Sequence, residues 1–75
     1  MKEIVFVISS SCKLTLQLTS HGYRGIIWDC VVGEQWCVSC ICEDMDWEKV
    51  RRRIAMYGLV IHKWAFDQLV HMNSV

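Results

Sequence analysis

Proline is absent from this sequence of 75 residues, and so is any surplus of charge, since eight Lys and Arg are matched by eight Asp and Glu. Disordered chains are rich in proline and net charge and poor in apolar residues. This chain, 53% hydrophobic, is the reverse on each count. Counting Gly in place of Tyr raises that share slightly, above the roughly 45–50% of ordinary domains. A domain this small buries only about 60% of its unfolded surface. Part of the excess is therefore expected outside, as a partner surface or a dimer seam.

Balanced charge disfavours nucleic acid, because phosphate binding draws on surplus Lys and Arg gathered on one face. The basic cluster Lys49-Val50-Arg51-Arg52-Arg53 comes just after Glu43, Asp44, Asp46 and Glu48. Long apolar runs are missing too. A membrane span needs about 20 apolar residues in a row, whereas the longest uncharged stretch, Leu14 to Tyr23, is half polar. The start, Met1-Lys2-Glu3 before Ile4 to Ile8 and then Ser9 to Cys12, has the outline of a lipoprotein leader. Its apolar part is shorter than the roughly 7–15 residues a leader needs, and an acid sits in the basic region. A buried first strand is the better reading. The four glycines are scattered singly, so no phosphate-cradling loop is present.

Residues 1–75 read as a single compact domain. Leu14, Leu16 and Leu18 alternate with Lys13, Thr15, Gln17 and Thr19, the mark of a strand with one wet face. Ile4 to Ile8 is unbroken, mostly β-branched, and reads as a strand covered on both faces. His21 to Gly25 reads as a turn, with Tyr23 and Arg24 at its tip. Ile26 to Val32 and Trp36 to Cys42 form the next hairpin. A two-residue loop at Gly33-Glu34 would suit a type II′ turn and set Cys30 opposite Cys37. A three-residue loop, Gly33 to Gln35, would instead gather Ile26, Trp28, Cys30, Val32, Trp36, Val38, Cys40 and Cys42 on one face. Burial favours the second.

Asp44 or Asp46 can cap a helix whose inner face is Trp47, Val50, Ile54 and Tyr57, with Gly58 just past its end. Beyond it, Leu59-Val60-Ile61 and the alternation Val60, His62, Trp64, Phe66 suggest a fifth strand. Ile61, Trp64, Ala65, Leu69 and Met72 would equally make a helical stripe. The strand is the favoured reading. The expected fold is α+β: an antiparallel meander of about four strands, one helix across one face, and a fifth C-terminal strand. Its core should hold Leu14, Leu16, Leu18, Trp28, Cys30, Val38, Cys40, Trp47, Val50 and Ile54.

Five cysteines are many for this length, and an odd number argues against a secreted disulfide scaffold. Reduced thiols in a cytoplasmic setting fit better. Cys37, Cys40 and Cys42 are the candidate zinc ligands, yet one CxxC is half of the usual signature. On a regular strand Cys37 and Cys40 would point to opposite faces. A redox CxxC normally sits at a helix N-terminus, and here the helix follows Cys42. No cofactor is expected. Five Cys and three His could supply a nucleophilic pair, but so short a chain has little room for a pocket of roughly 300 Å³. No catalysis is expected.

What remains is binding. Trp, Tyr and Arg are the residue types that anchor interfaces, and Tyr23, Arg24, Lys49, Arg52 and Trp64 are the candidate partner-binding residues. The reading is a small cytoplasmic module that regulates or inhibits a larger protein by occupying its surface. Small inhibitors of phages and mobile elements share its size, an analogy of scale alone. A homodimer through an edge strand or Trp64 is the second reading. A nucleic-acid contact through Lys49, Arg52 and Arg53 is the rival from another class.

Overall fold

A computed structural model describes residues 1–72, apart from the side chain of Cys30. Four strands run in order as an antiparallel meander: β1 (Lys2–Ser9), β2 (Cys12–Thr19), β3 (Gly22–Val32) and β4 (Gln35–Asp44). Two helices follow, α1 (Trp47–Ala55) and α2 (Lys63–His71). The α+β class and the meander are as the sequence predicts.

All three hairpins close through two residues, since Ser9 pairs with Cys12, Thr19 with Gly22 and Val32 with Gln35. Side-chain hydroxyls hold the first two turns. Ser9 Oγ accepts from Ser11 N–H at 3.2 Å and Thr19 Oγ1 from His21 N–H at 3.1 Å. In the third, Gly33 has φ +64° and no non-glycine residue among those described has a positive φ, which is the type II′ pattern.

These tight turns fix which side chains meet. Leu14, Leu16 and Leu18 pair with Ile27, Gly25 and Tyr23, so Tyr23, Gly25 and Ile27 of β3 face the core. Trp28 pairs with Lys13 on the opposite, wet face. The expected three-residue loop and the inward placement of Trp28 and Val38 are therefore incorrect. Val31, Val32 and Val38 are all exposed at the far end of the hairpin. With no described helix there to bury either face, burial has no say and turn chemistry sets the register. Asp29 and Ser39 are skipped in the pairing, one on each strand, which restores the alignment below them. The Cys30 side chain, expected in the core, lies outside the described residues.

The fifth strand is replaced by α2. Helix α1 packs on β3 and β4, and α2 packs on β1 and β2. A single nine-residue helix would leave half of the apolar sheet face wet, and a strand added at an edge would cover none of it. The stripe Ile61, Ala65, Leu69 is buried together with Phe66, so helical periodicity prevails over β-propensity. Asp46 caps α1, its Oδ1 accepting from Glu48 N–H at 3.0 Å. Val50 and Ile54 are fully buried, while Tyr57 lies beyond the helix end and is exposed. The core is Leu14, Leu16, Ile27, Cys42, Val50, Ile54, Ala65, Phe66 and Leu69, with Leu18, Cys40 and Trp47 partly buried against it. Phe66 joins the halves, its ring centroid 5.4 Å from Trp47 and 5.8 Å from Tyr23.

β1 is not covered on both faces as expected. Its even residues Ile4 and Phe6 pack inward, while Val5 and Val7 stand 48% and 74% exposed on the other side.

Candidate interaction face

Both helices lie on one face of the sheet, and no described element covers the other, the open face. Cross-strand pairing arranges the open face in rows spanning all four strands. Glu3, Gln17, Arg24 and Glu43 form the first; Val5, Thr15, Ile26 and Ile41 the second; Val7, Lys13, Trp28 and Val38 the third.

The polar row is hydrogen-bonded from end to end. Gln17 Nε2 donates to Glu3 Oε1 at 2.8 Å, Arg24 Nη1 donates to Gln17 Oε1 at 3.5 Å, and Arg24 Nε meets Glu43 Oε2 at 3.0 Å. Its two carboxylates outnumber its one guanidinium, so this end of the face is mildly acidic. The third row is aromatic and cationic. The Lys13 ammonium lies 5.0 Å from the Trp28 ring centroid and 4.8 Å from that of Trp36. Such contacts contribute about 0.5–1 kcal/mol each at exposed sites. Trp28 Nε1 donates to Thr15 Oγ1 at 3.1 Å and helps to bury that hydroxyl. Between the two rows and at their rim, Val5, Val7, Val38 and Ile41 are each about half exposed or more.

The residues singled out from sequence do not converge. Tyr23 and Arg24 belong to β3 rather than to a turn tip. Tyr23 faces the helices, stacked edge-on against Phe66. Arg24 alone lies on the open face, in its ion pair with Glu43. Lys49 and Arg52 are exposed on α1, where Arg52 sits 3.8 Å from Glu48. Trp64, 56% exposed, rests on Phe6 of β1 with ring centroids 6.2 Å apart, at the other side of the sheet from the strands α1 covers. Sequence reasoning missed Lys13, Trp28, Trp36, Val7 and Ile41 as neighbours. Counting across the two-residue turns from the wet residues Lys13 and Thr15 would have found Trp28 and Ile41; Val7 and Trp36 reach this face through the register shifts near Ile8 and Ser39, which the sequence pattern does not reveal.

The cysteines do not assemble a centre. Among the described residues no group of three or more His, Cys, Asp or Glu converges as metal ligands would. Trp36 shares the open face with Lys13, so the neighbouring Cys37 turns the other way, and the bulge at Ser39 leaves Cys40 on that same side. That corrects the expectation of opposite faces. Cys42 is buried and its Sγ approaches the Gly25 carbonyl at 3.6 Å. Burial first, then the adjacent Cys40, push its thiol above the ordinary value, and the Gly25 contact offsets this in part. A nucleophilic thiol needs the opposite shift. A cleft of about 430 Å³, lined by Met1, Lys2, Leu18, Thr19 and Ser20, contains no Cys, His or carboxylate. No described helix is long and apolar enough to cross a membrane.

No protein-family model matches the chain, and no curated protein or solved structure matches it either.

Proposed function

We propose that this protein is a small non-enzymatic interaction module of the cytoplasm, which regulates or inhibits a larger protein by laying its open sheet face on that protein's surface. The observation that carries this reading is the face itself: four strands with Val5, Val7, Val38 and Ile41 exposed around a Trp28–Lys13–Trp36 cluster. Exposed apolar patches rimmed by polar groups mark interaction sites. Aromatic residues with a polar handle supply contact area at low entropic cost, and they carry most interface energy. The absence of catalysis is part of the proposal. It is supported by the upward shift of the Cys42 thiol and by a cleft whose lining includes no Cys, His or carboxylate.

The test begins with affinity capture from the native host, to identify the partner, followed by titration of the purified partner. Ile41→Glu and Trp28→Ala should each weaken binding by about 30-fold or more, which is the roughly 2 kcal/mol of a true anchor. Lys49→Ala and Arg52→Ala should change it less than about fivefold. If both sheet variants fold and bind as the parent does, the open face is not the docking surface. Tight binding to nucleic acid that collapses with rising salt and depends on Lys49, Arg52 and Arg53 would replace this reading with the nucleic-acid one.

A further inference from the structure

We infer that two copies of this chain join through their β1 edges, forming one eight-stranded sheet with Phe6 on the two-fold axis and Trp64 of each copy closing the seam. The inference does not depend on what the open face binds.

β1 and β4 are the two edges of the sheet, and they are defended differently. Natural edges are protected by bulges, charges, proline or a covering element. β4 has the break at Ser39 within its length and ends in Glu43-Asp44. β1 runs Ile4-Val5-Phe6-Val7-Ile8 without a charge or a proline, and its pairing with β2 is regular until the shift between Val7 and Ser9.

The occupant follows from the strand's own pattern. Directly opposed residues in an antiparallel pair share a face, so self-pairing must centre on a residue. Centred on Val5, it would set Glu3 against the second copy's Val7 and Lys2 against its Ile8. Centred on Phe6, it sets Val5 against the second copy's Val7 and brings Ile4 to its Ile8, the residue at the shift in β1's pairing with β2. Within the regular part of β1, Lys2 to Val7, no charged residue then opposes an apolar one. The contact is isologous and closed, as a two-fold requires.

Trp64 completes it. Five paired residues span only about 17 Å, and a strand edge alone falls short of the roughly 800 Å² per partner that stable complexes bury. Trp64 stands edge-on to Phe6 and is 56% exposed. With Phe6 on the axis, both copies of Phe6 and Trp64 form one aromatic cluster over the seam. Val5 and Val7, exposed on the opposite face, extend the seam on that side.

The test is sedimentation equilibrium of the full chain up to about 1 mM, the weak limit of a specific contact, with thiols kept reduced. The parent should be a monomer–dimer system. Trp64→Ala should raise the dissociation constant about tenfold or more, and Val7→Lys should leave only monomer, both with unchanged far-UV circular dichroism. Ile41→Glu, on the far strand, should leave the dimer intact, which separates this inference from the docking role of the open face. Isotope-filtered NMR on a mixed labelled and unlabelled sample should give contacts from Val5 to the second copy's Val7. A parent that stays monomeric throughout, a folded Val7→Lys variant that still dimerises, or intermolecular contacts confined to β4 or the open face would each overturn the inference.

Discussion

Gly25 lies directly under Ile54: a methyl group built on its Cα would come 2.8 Å from Ile54 Cδ1 and 3.2 Å from Cys42 Sγ. This close approach lets α1 sit down on β3. Glycine is required here for space, since its φ is not in the left-handed region. Gly25→Ala should cost about 1–3 kcal/mol, the usual penalty for overpacking a filled core. Ile54→Val removes the offending Cδ1 and by itself should cost about 0.5–1.5 kcal/mol. In the Gly25→Ala background that cost should shrink or change sign. A double-mutant cycle by urea denaturation measures the coupling, and simple additivity would show that the two residues do not constrain each other.

Gly33 makes a different demand. Its φ of +64° is a backbone requirement, and a Cβ there would meet nothing within 4 Å. Gly33→Ala should therefore destabilise by about 1–2 kcal/mol through strain alone. Gly33→Asn should recover part of the loss, because asparagine tolerates the left-handed region better. If Ala is neutral in a thermal melt, the two-residue turn is not what sets the register of β3 and β4.

These two glycines also show where the fold was legible in the sequence. The leucine alternation of β2, the capped stripe of α1 and the meander itself were readable, because each rests on a local period. The facing of β3 was not, because Trp28 looks like a core residue until its partner is known. That partner, Lys13, lies fifteen residues away in the chain and is fixed by the turn at Ser20-His21, a tertiary fact carried by loop length. α2 was misread for a related reason. Its periodicity is ambiguous by itself, and the deciding quantity is how much of the sheet face one nine-residue helix leaves uncovered. The open face was half legible. Lys13, Thr15 and Gln17 declared a wet side, but the aromatic and apolar residues beside them come from strands whose register the sequence pattern left open.

The thiols should separate into two classes. Cys12, Cys37 and Cys40 are partly exposed and Cys42 is buried. A thiol reagent applied to the folded protein, with sites mapped by mass spectrometry, should modify the first three readily. Cys42 should react only at the rate of opening, faster as denaturant is added. Fast, selective labelling of Cys42 would contradict its burial and revive the case for a reactive centre.

Cys42 also predicts a pH dependence. Its thiol is held above the ordinary value of 9.0 in the folded state, chiefly by burial. The native state thus keeps its proton when the unfolded chain has lost it. This contribution to stability is complete below the unfolded value and declines as pH rises towards and through the folded one. Urea midpoints should fall between about pH 8 and pH 10, and Cys42→Ala should flatten that decline even if it lowers stability at neutral pH. An identical alkaline slope in the variant would assign the effect to other groups.

The Lys13 ammonium between the Trp28 and Trp36 rings should make a measurable contribution to the open face in the absence of any partner. Lys13→Met keeps much of the aliphatic length and removes the charge. If both ring contacts count, it should lose about 1–2 kcal/mol. Trp28→Leu removes one ring and also the donor to Thr15, so its own cost should be larger, with about 0.5–1.5 kcal/mol of it from the hydrogen bond. In that background Lys13→Met should lose only about half as much as in the parent, because Trp36 remains. Lys13→Arg should be nearly neutral, since a guanidinium also binds ring faces. Equal losses for Lys13→Met in both backgrounds would mean that the ammonium and the Trp28 ring are neighbours without an energetic bond. The cluster would then be a set of exposed groups rather than a preorganised platform.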